Sequence, residues 1–361
     1  MTGEKEKQKV KAEDIPRDSG ASSEPREYIE SIAAFIREED PPLDMIFPEL
    51  LPRGVVMLIH GEPRARKSLA AFELALAAAD GSAPFGLKRF APAERIAVLY
   101  VQEEDPRSLT RPRLRTLVET RCGETPPETL HVAVRRGVNL DDPAWVARLI
   151  ADLQRLEARL LVLDAARRLS AKTDEGPAKV SELSAVLRRI INQTGVTIII
   201  VHHDVKPLQT GQDTRRRSQR ASGGDWFAAS ECPVHLERLG ARESLFFPED
   251  YKFTADPAPF TFTCEITDGL ITRLTGVDTT TEDAAQAGTR GKILDWLKAT
   301  PYASKTKMKQ AGLGSWDRIE LALTALQKDG RVDSGPGRKA GSHLYFVVGE
   351  PSSPPGNGSD R

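Results

Sequence analysis

Short apolar runs alternate with stretches of helical spacing from about residue 28 onward. Val55 to His60 predicts a first strand, and behind it Leu69, Phe72, Leu76 and Ala79 fall on one helical face. Arg95 to Val101 predicts a second strand that runs into an acidic cluster, and Leu109 to Thr120 a helix. Leu130 to Val134 follows as a short strand. Pro143 to Ala158 then reads as a helix opened by Asp141 and Asp142, and Leu160 to Leu163 as a third buried strand. Val180, Leu183, Val186, Leu187, Ile190 and Ile191 form one stripe of a helix from Pro177 to Thr194. Val196 to Val201 is an unbroken apolar, β-branched run of the kind buried on both faces of a sheet. Strands alternating with helices predict an α/β fold, a mostly parallel central sheet covered by helices.

The pattern changes twice further on. Phe246 to Arg273 predicts short antiparallel strands on the sheet edge, broken by Pro248, Pro257, Pro259 and the Asp268-Gly269 turn signal. Residues 276–288, poor in large apolar side chains, are expected to link the main domain, 28–275, to a second one over 289–348. In that second domain Ile293, Leu294 and Leu297 make a helical face, and Ser304 to Ala311 a short second helix. Ser315 caps a third helix carrying Ile319, Leu323 and Leu326. Arg331 to Asp333 and Ser342 to Val348 then flank a Gly-Pro-Gly-Arg-Lys turn. The tails, 1–27 and 349–361, are too polar to offset the entropy of ordering and are expected to be disordered.

Composition narrows the classes. A chain of 361 residues with 39% hydrophobic content buries one large core and a smaller one. With 51 Lys and Arg against 52 Asp and Glu, any preference for nucleic acid must be local. Cys122, Cys232 and Cys264 have no disulfide or zinc spacing. No apolar run reaches the roughly 18 residues that span a bilayer, and the N-terminus lacks a signal-peptide core, so a cytoplasmic protein without membrane contact is expected.

The chemistry begins at Gly61-Glu62-Pro63-Arg64-Ala65-Arg66-Lys67-Ser68, directly after the first strand and ahead of an alanine-rich helix. Its first glycine, its lysine and its hydroxyl have the separation of a phosphate-binding loop, and this stretch with Leu69 makes the expected nucleotide contacts. Backbone N–H groups would cradle phosphate, Lys67 would reach the outer phosphates, and the Ser68 hydroxyl would complete a magnesium shell. ATP and Mg2+ are the implied cofactors. Arg66 stands where the pattern has glycine; there it either crowds the nucleotide or adds positive charge beside it, which puts turnover in question. Asp164, at the end of the Leu160 to Leu163 strand, is the expected partner of magnesium through water.

Two further strand ends lie where open α/β sheets place ligands. Glu103-Glu104-Asp105 offers a carboxylate to orient a water, with no preference between the two glutamates from the residues alone. His202-His203-Asp204 suits a polar phosphate sensor or a capped strand end better than zinc, because adjacent side chains on a strand face opposite ways. Between Val205 and Gly224 lies a basic loop with Lys206, Arg215, Arg216, Arg217 and Arg220. It is suited to a nucleic-acid backbone or to a neighbouring subunit's ATP.

Four stretches together resemble the RecA-like P-loop ATPases of the RepA-type hexameric replicative helicase family, an AAA-type ATPase domain, over roughly residues 40 to 275. They are Val98-Leu-Tyr-Val-Gln-Glu-Glu104-Asp-Pro106, Leu161-Val-Leu-Asp164-Ala-Ala-Arg-Arg168, Ile200-Val-His-His203-Asp-Val-Lys206 and Arg220-Ala-Ser-Gly-Gly-Asp225. The resemblance implies a catalytic role for Glu104 and an inter-subunit arginine at Arg220, with Arg217 as the alternative. It also implies a ring of like subunits, commonly a hexamer, that holds ATP at its interfaces and single-stranded DNA in its centre.

The C-terminal domain contributes a local charge excess, 11 Lys and Arg against 5 Asp and Glu over residues 289–348. Three short helices and a β-hairpin resemble a winged helix, in which Arg318 would face duplex DNA and Lys305, Lys307, Lys309, Arg338 and Lys339 would meet phosphates. Winged helices also dock proteins. The expected function is therefore ATP hydrolysis applied to DNA by a helicase or helicase loader. The alternatives are a nucleotide-switched DNA regulator without translocation and an ATPase whose winged helix docks a partner.

Overall fold

The computed structural model describes residues 31–37, 43–171, 177–204, 226, 229–279, 281–328, 330–336 and 343–349; for 34, 177–179 and 281–288 it describes the backbone alone. The strands are β1 (Met45–Phe47), β2 (Leu51–Pro52), β3 (Val56–Gly61), β4 (Val98–Gln102), β5 (Leu130–Val134), β6 (Leu160–Asp164), β7 (Thr197–Val201), β8 (Cys232–Arg238), β9 (Glu243–Pro248), β10 (Phe260–Thr267), β11 (Leu270–Asp278), β12 (Val332–Pro336) and β13 (His343–Val347). The helices are α1 (Ile32–Phe35), α2 (Lys67–Asp80), α3 (Arg107–Cys122), α4 (Pro143–Arg155), α5 (Ala166–Leu169), α6 (Pro177–Thr194), α7 (Thr281–Ala299), α8 (Lys305–Gln310) and α9 (Trp316–Lys328).

A nine-stranded sheet runs in the order β11-β10-β9-β8-β3-β7-β6-β4-β5. From β8 to β5 every neighbouring pair is parallel, and β9, β10 and β11 add an antiparallel edge. This is the expected mostly parallel α/β sheet, with its ligand edge at the carboxyl ends of the parallel strands. Alternation within each strand feeds two cores. Met57 and Ile59 of β3 pack with α2 and α3 residues on one face, while Val56 and Leu58 pack with α4 and α6 residues on the other.

α2 is buried along nearly its whole length, which its alanines permit by letting backbone approach backbone. α4 starts where Asp142 accepts a hydrogen bond from the Ala144 N–H at 2.9 Å, with Pro143 in the first turn. β8 has no counterpart in the hydrophobic pattern, because Pro233 and His235 interrupt its apolar run. It is nonetheless buried and pairs with β3 from Met57↔Cys232 to Gly61↔Leu236.

Three helices and the β12–β13 hairpin form the C-terminal module around Ile293, Leu297, Met308, Ile319, Leu323, Leu326 and Tyr345. Ser304 caps α8 by accepting from Lys307 N–H, and Ser315 accepts from Arg318 N–H at 3.4 Å ahead of α9. Across the stretch read as a linker, β11 extends to Asp278 and α7 begins at Thr281. No described helix is long and apolar enough to cross a membrane.

Candidate functional site

The Gly61 to Ser68 loop bridges β3 and α2 at the carboxyl edge of the sheet. Gly61 has φ +151°, and a Cβ there would lie 2.2 Å from the Leu236 carbonyl oxygen, so the loop can leave β3 beside β8 only through glycine. Glu62, Pro63 and Arg64 are exposed, whereas Ala65 and Leu69 are buried, and Leu69 packs into the core. Lys67 Nζ donates to the carbonyls of Gly61 and Glu62, each at 2.8 Å, which folds the ammonium back over the loop. Burial lowers the Lys67 pKa to about 8, against the opposing pull of Asp204, Glu104 and Asp164.

Arg66 takes the left-handed conformation, φ 68° and ψ 29°, that a glycine at this position supplies without strain. Its guanidinium turns outward to acceptors between β8 and β9, including Glu243 O at 3.0 Å and Ser244 Oγ at 2.8 Å.

Opposite the loop, β6 delivers Asp164. Ser68 Oγ donates to its Oδ1 at 3.0 Å and Tyr100 OH to its Oδ2 at 2.6 Å. Asp164 is fully buried, and burial pushes its carboxyl up to about 6 although both hydroxyls favour the carboxylate. A hydroxyl and a carboxylate in contact make a set of hard oxygen donors, which fits Mg2+.

The two glutamates after β4 part company. Glu103 is buried and its carboxylate accepts from the backbone N–H groups of Arg136, Gly137 and Val138 at 2.8, 3.2 and 3.2 Å, so it closes the turn after β5. Glu104 is partly exposed and stands 3.5 Å from His203 Nε2. The His203 hydrogen bond, with Lys67 and Arg168 nearby, lowers the Glu104 carboxyl below its ordinary value. Lys67, Ser68, Glu104, Asp164 and His203 thus come together at one edge of the sheet.

Beneath the loop lies a cluster the sequence reading did not anticipate. His60 Nδ1 is 2.8 Å from Asp204 Oδ1, and His235 Nε2 is 3.4 Å from Asp204 Oδ2. All three side chains are buried, and their ligand atoms lie close enough to surround a cation. Asp204 accepts from His60 and neighbours the Lys67 ammonium, with His235 beside it, so the trio brings β3, β8 and the end of β7 together. Burial pushes His235 down to about 4, so it is neutral at physiological pH. Two of its members left a signal, Asp204 after the paired histidines and His60, a polar residue closing an apolar strand; His235 sits on the strand that the pattern concealed.

Arg215, Arg216, Arg217 and Arg220, with the basic loop as a whole, and Arg338 and Lys339 lie outside the described residues. Arg318 is exposed on α9, and Lys305 is paired with Glu320 at 3.0 Å. His202 is buried and packs against Trp226, with ring centroids 5.4 Å apart.

The family described as the AAA domain matches residues 22–208, more than half of the chain. No curated protein matches. Among solved structures, a KaiC-like protein of the hyperthermophilic archaeon Pyrococcus horikoshii is similar at 13% identity and a TM-score of 0.41. The likeness covers 65% of this chain and all, 100%, of that one.

Proposed function

The chain belongs to the AAA domain family, and on that premise we propose that it binds ATP with Mg2+ on the Gly61 to Ser68 loop, hydrolyses it and applies the cycle to DNA. Family membership suggests nucleotide binding and hydrolysis; the observation that carries the reading here is the convergence of Lys67, Ser68, Asp164 and Glu104 on one edge of the sheet. Lys67 exchanges the Gly61 and Glu62 carbonyls for phosphate oxygens. Ser68 would hold Mg2+ through its hydroxyl and Asp164 through water, with Tyr100 fixing the carboxylate. When bound, ATP supplies the transferable phosphoryl group and Mg2+ offsets its charge. Glu104, ionised and oriented by His203, positions a water and accepts its proton.

The rest of the cycle extends from the resemblance. Arg220, or Arg217 in the alternative register, reaches the ATP of a neighbouring subunit in a ring, commonly a hexamer. Arg215, Arg216 and Arg217 meet single-stranded DNA in its centre. The C-terminal module acts as a winged helix on duplex DNA through Arg318, Arg338 and Lys339. What supports the DNA assignment is the excess of basic residues in that module, 11 against 5 acidic.

ATP turnover measured with and without single-stranded DNA tests the proposal. Hydrolysis stimulated by DNA, and cut by roughly a hundredfold or more in Glu104→Gln with nucleotide affinity kept, is expected of a motor or loader. Tight binding without turnover, with or without DNA, would instead make the protein a nucleotide-controlled switch.

A further inference from the structure

Arg66 makes four hydrogen bonds to one short turn. Its guanidinium donates to the carbonyls of Gly240 at 3.2 Å and Glu243 at 3.0 Å, to Ser244 Oγ at 2.8 Å, and to the Ala241 carbonyl. Ser244 Oγ donates onward to the Ala65 carbonyl at 3.3 Å, so two consecutive residues of the phosphate loop are fastened to the β8–β9 turn. A lysine could not satisfy this set, because its single ammonium lacks the planar fork that reaches several acceptors at once.

The same turn carries the C-terminal module. α7 packs on β8 and β9. A Cβ at Gly291 would stand 3.3 Å from the Arg238 carbonyl oxygen and 3.7 Å from Leu239 Cα, so glycine is what lets α7 press its backbone against the turn. On the other side of the turn, Arg331, at the head of the β12–β13 hairpin, brings its guanidinium within 3.3 Å of the point where a Cβ on Gly240 would lie. The phosphate loop and the C-terminal module are therefore two bodies gripping one hairpin turn.

We propose that Arg66 is a positioning residue that transmits nucleotide occupancy of the phosphate loop to the C-terminal module through the β8–β9 turn. The proposal rests on the reading of Gly61 to Ser68 as a nucleotide site. Receiving phosphate requires Lys67 to leave the Gly61 and Glu62 carbonyls and the loop to turn its N–H groups to the ligand. Arg66 follows that rearrangement with its fork fixed on the turn, so the turn shifts with the loop, and α7 and Arg331 shift with the turn. The link is a physical chain of hydrogen bonds and close packing, and it makes the departure from glycine at position 66 a gain in communication.

Hydrogen exchange on the full chain, with and without Mg·ATPγS, tests this, alongside a direct titration of a fluorescent ATP analogue. In the wild type, nucleotide should slow exchange by about fivefold at residues 239–244 and 289–294 as well as in the phosphate loop. Arg66→Gly suits the left-handed backbone, and at nucleotide concentrations that saturate it the protection should stay in the phosphate loop and be lost at 239–244 and 289–294. Gly291→Val, acting from the opposite side of the turn, should keep nucleotide affinity and lose the response at 289–294. Remote protection that survives Arg66→Gly, or wild-type binding with no remote protection, overturns the link alone. A wild type that takes up no nucleotide overturns the site reading and the link together.

Discussion

Two buried groups set the working pH of the loop. Lys67 titrates near 8 in the unliganded protein because burial disfavours its ammonium, while a bound phosphate favours that ammonium. Nucleotide affinity should therefore fall as pH rises through about 8, by up to tenfold per unit. Asp164 titrates near 6, and Mg2+ needs the carboxylate, so affinity for Mg·nucleotide should also fall as pH drops below about 6. Titrations with a fluorescent nucleotide across this range check both limbs; a flat alkaline limb would remove Lys67 from the phosphate site. The neighbouring glutamates separate by another measurement. Glu103→Ala leaves the N–H groups of Arg136, Gly137 and Val138 unpaired, at a cost on the order of 3 kcal/mol. The thermal midpoint should fall by roughly 10 °C. Glu104→Gln, at a partly exposed position, should scarcely move that midpoint while abolishing turnover.

At the scale of elements, the junction of β3, α2 and β8 is the least forgiving part of the fold. Gly61→Ala forces a methyl to within 2.2 Å of the Leu236 carbonyl at a φ that disfavours side chains. β3 or β8 must give way, and chemical denaturation should register a loss of about 2 kcal/mol or more. Such a loss with unchanged nucleotide affinity would mean that the strands yield and the loop does not. Arg66→Gly at the other end of the loop should be mild by comparison, because its left-handed backbone is one glycine adopts freely. The contrast separates a glycine needed for close approach from a position needing only its backbone angles.

The whole molecule holds its C-terminal module around a core of its own, distinct from the two cores of the sheet. Leu323→Ala should destabilise that module by about 2–5 kcal/mol. Calorimetry should then show a separate early transition, with nucleotide affinity at low temperature unchanged. A single merged transition would mean that the module unfolds only with the sheet. The alternation of apolar runs with helical stripes was enough to determine a mostly parallel sheet, because strands buried on both faces need continuous hydrophobic sequence. The spacing of Gly61, Lys67 and Ser68 between a strand and a helix likewise marked the loop, since phosphate cradling is local in the chain. Tertiary structure alone decided which way side chains reach for distant partners. It turned Arg66 to the β8–β9 turn, assigned Glu103 to backbone amides and Glu104 to the ligand edge, and set Tyr100 on Asp164. It also slotted β8, with Pro233 and His235 in its sequence, beside β3. None of these follows from periodicity, because each depends on what stands opposite a residue across the sheet, and that is fixed only when strands far apart in the chain are brought into register.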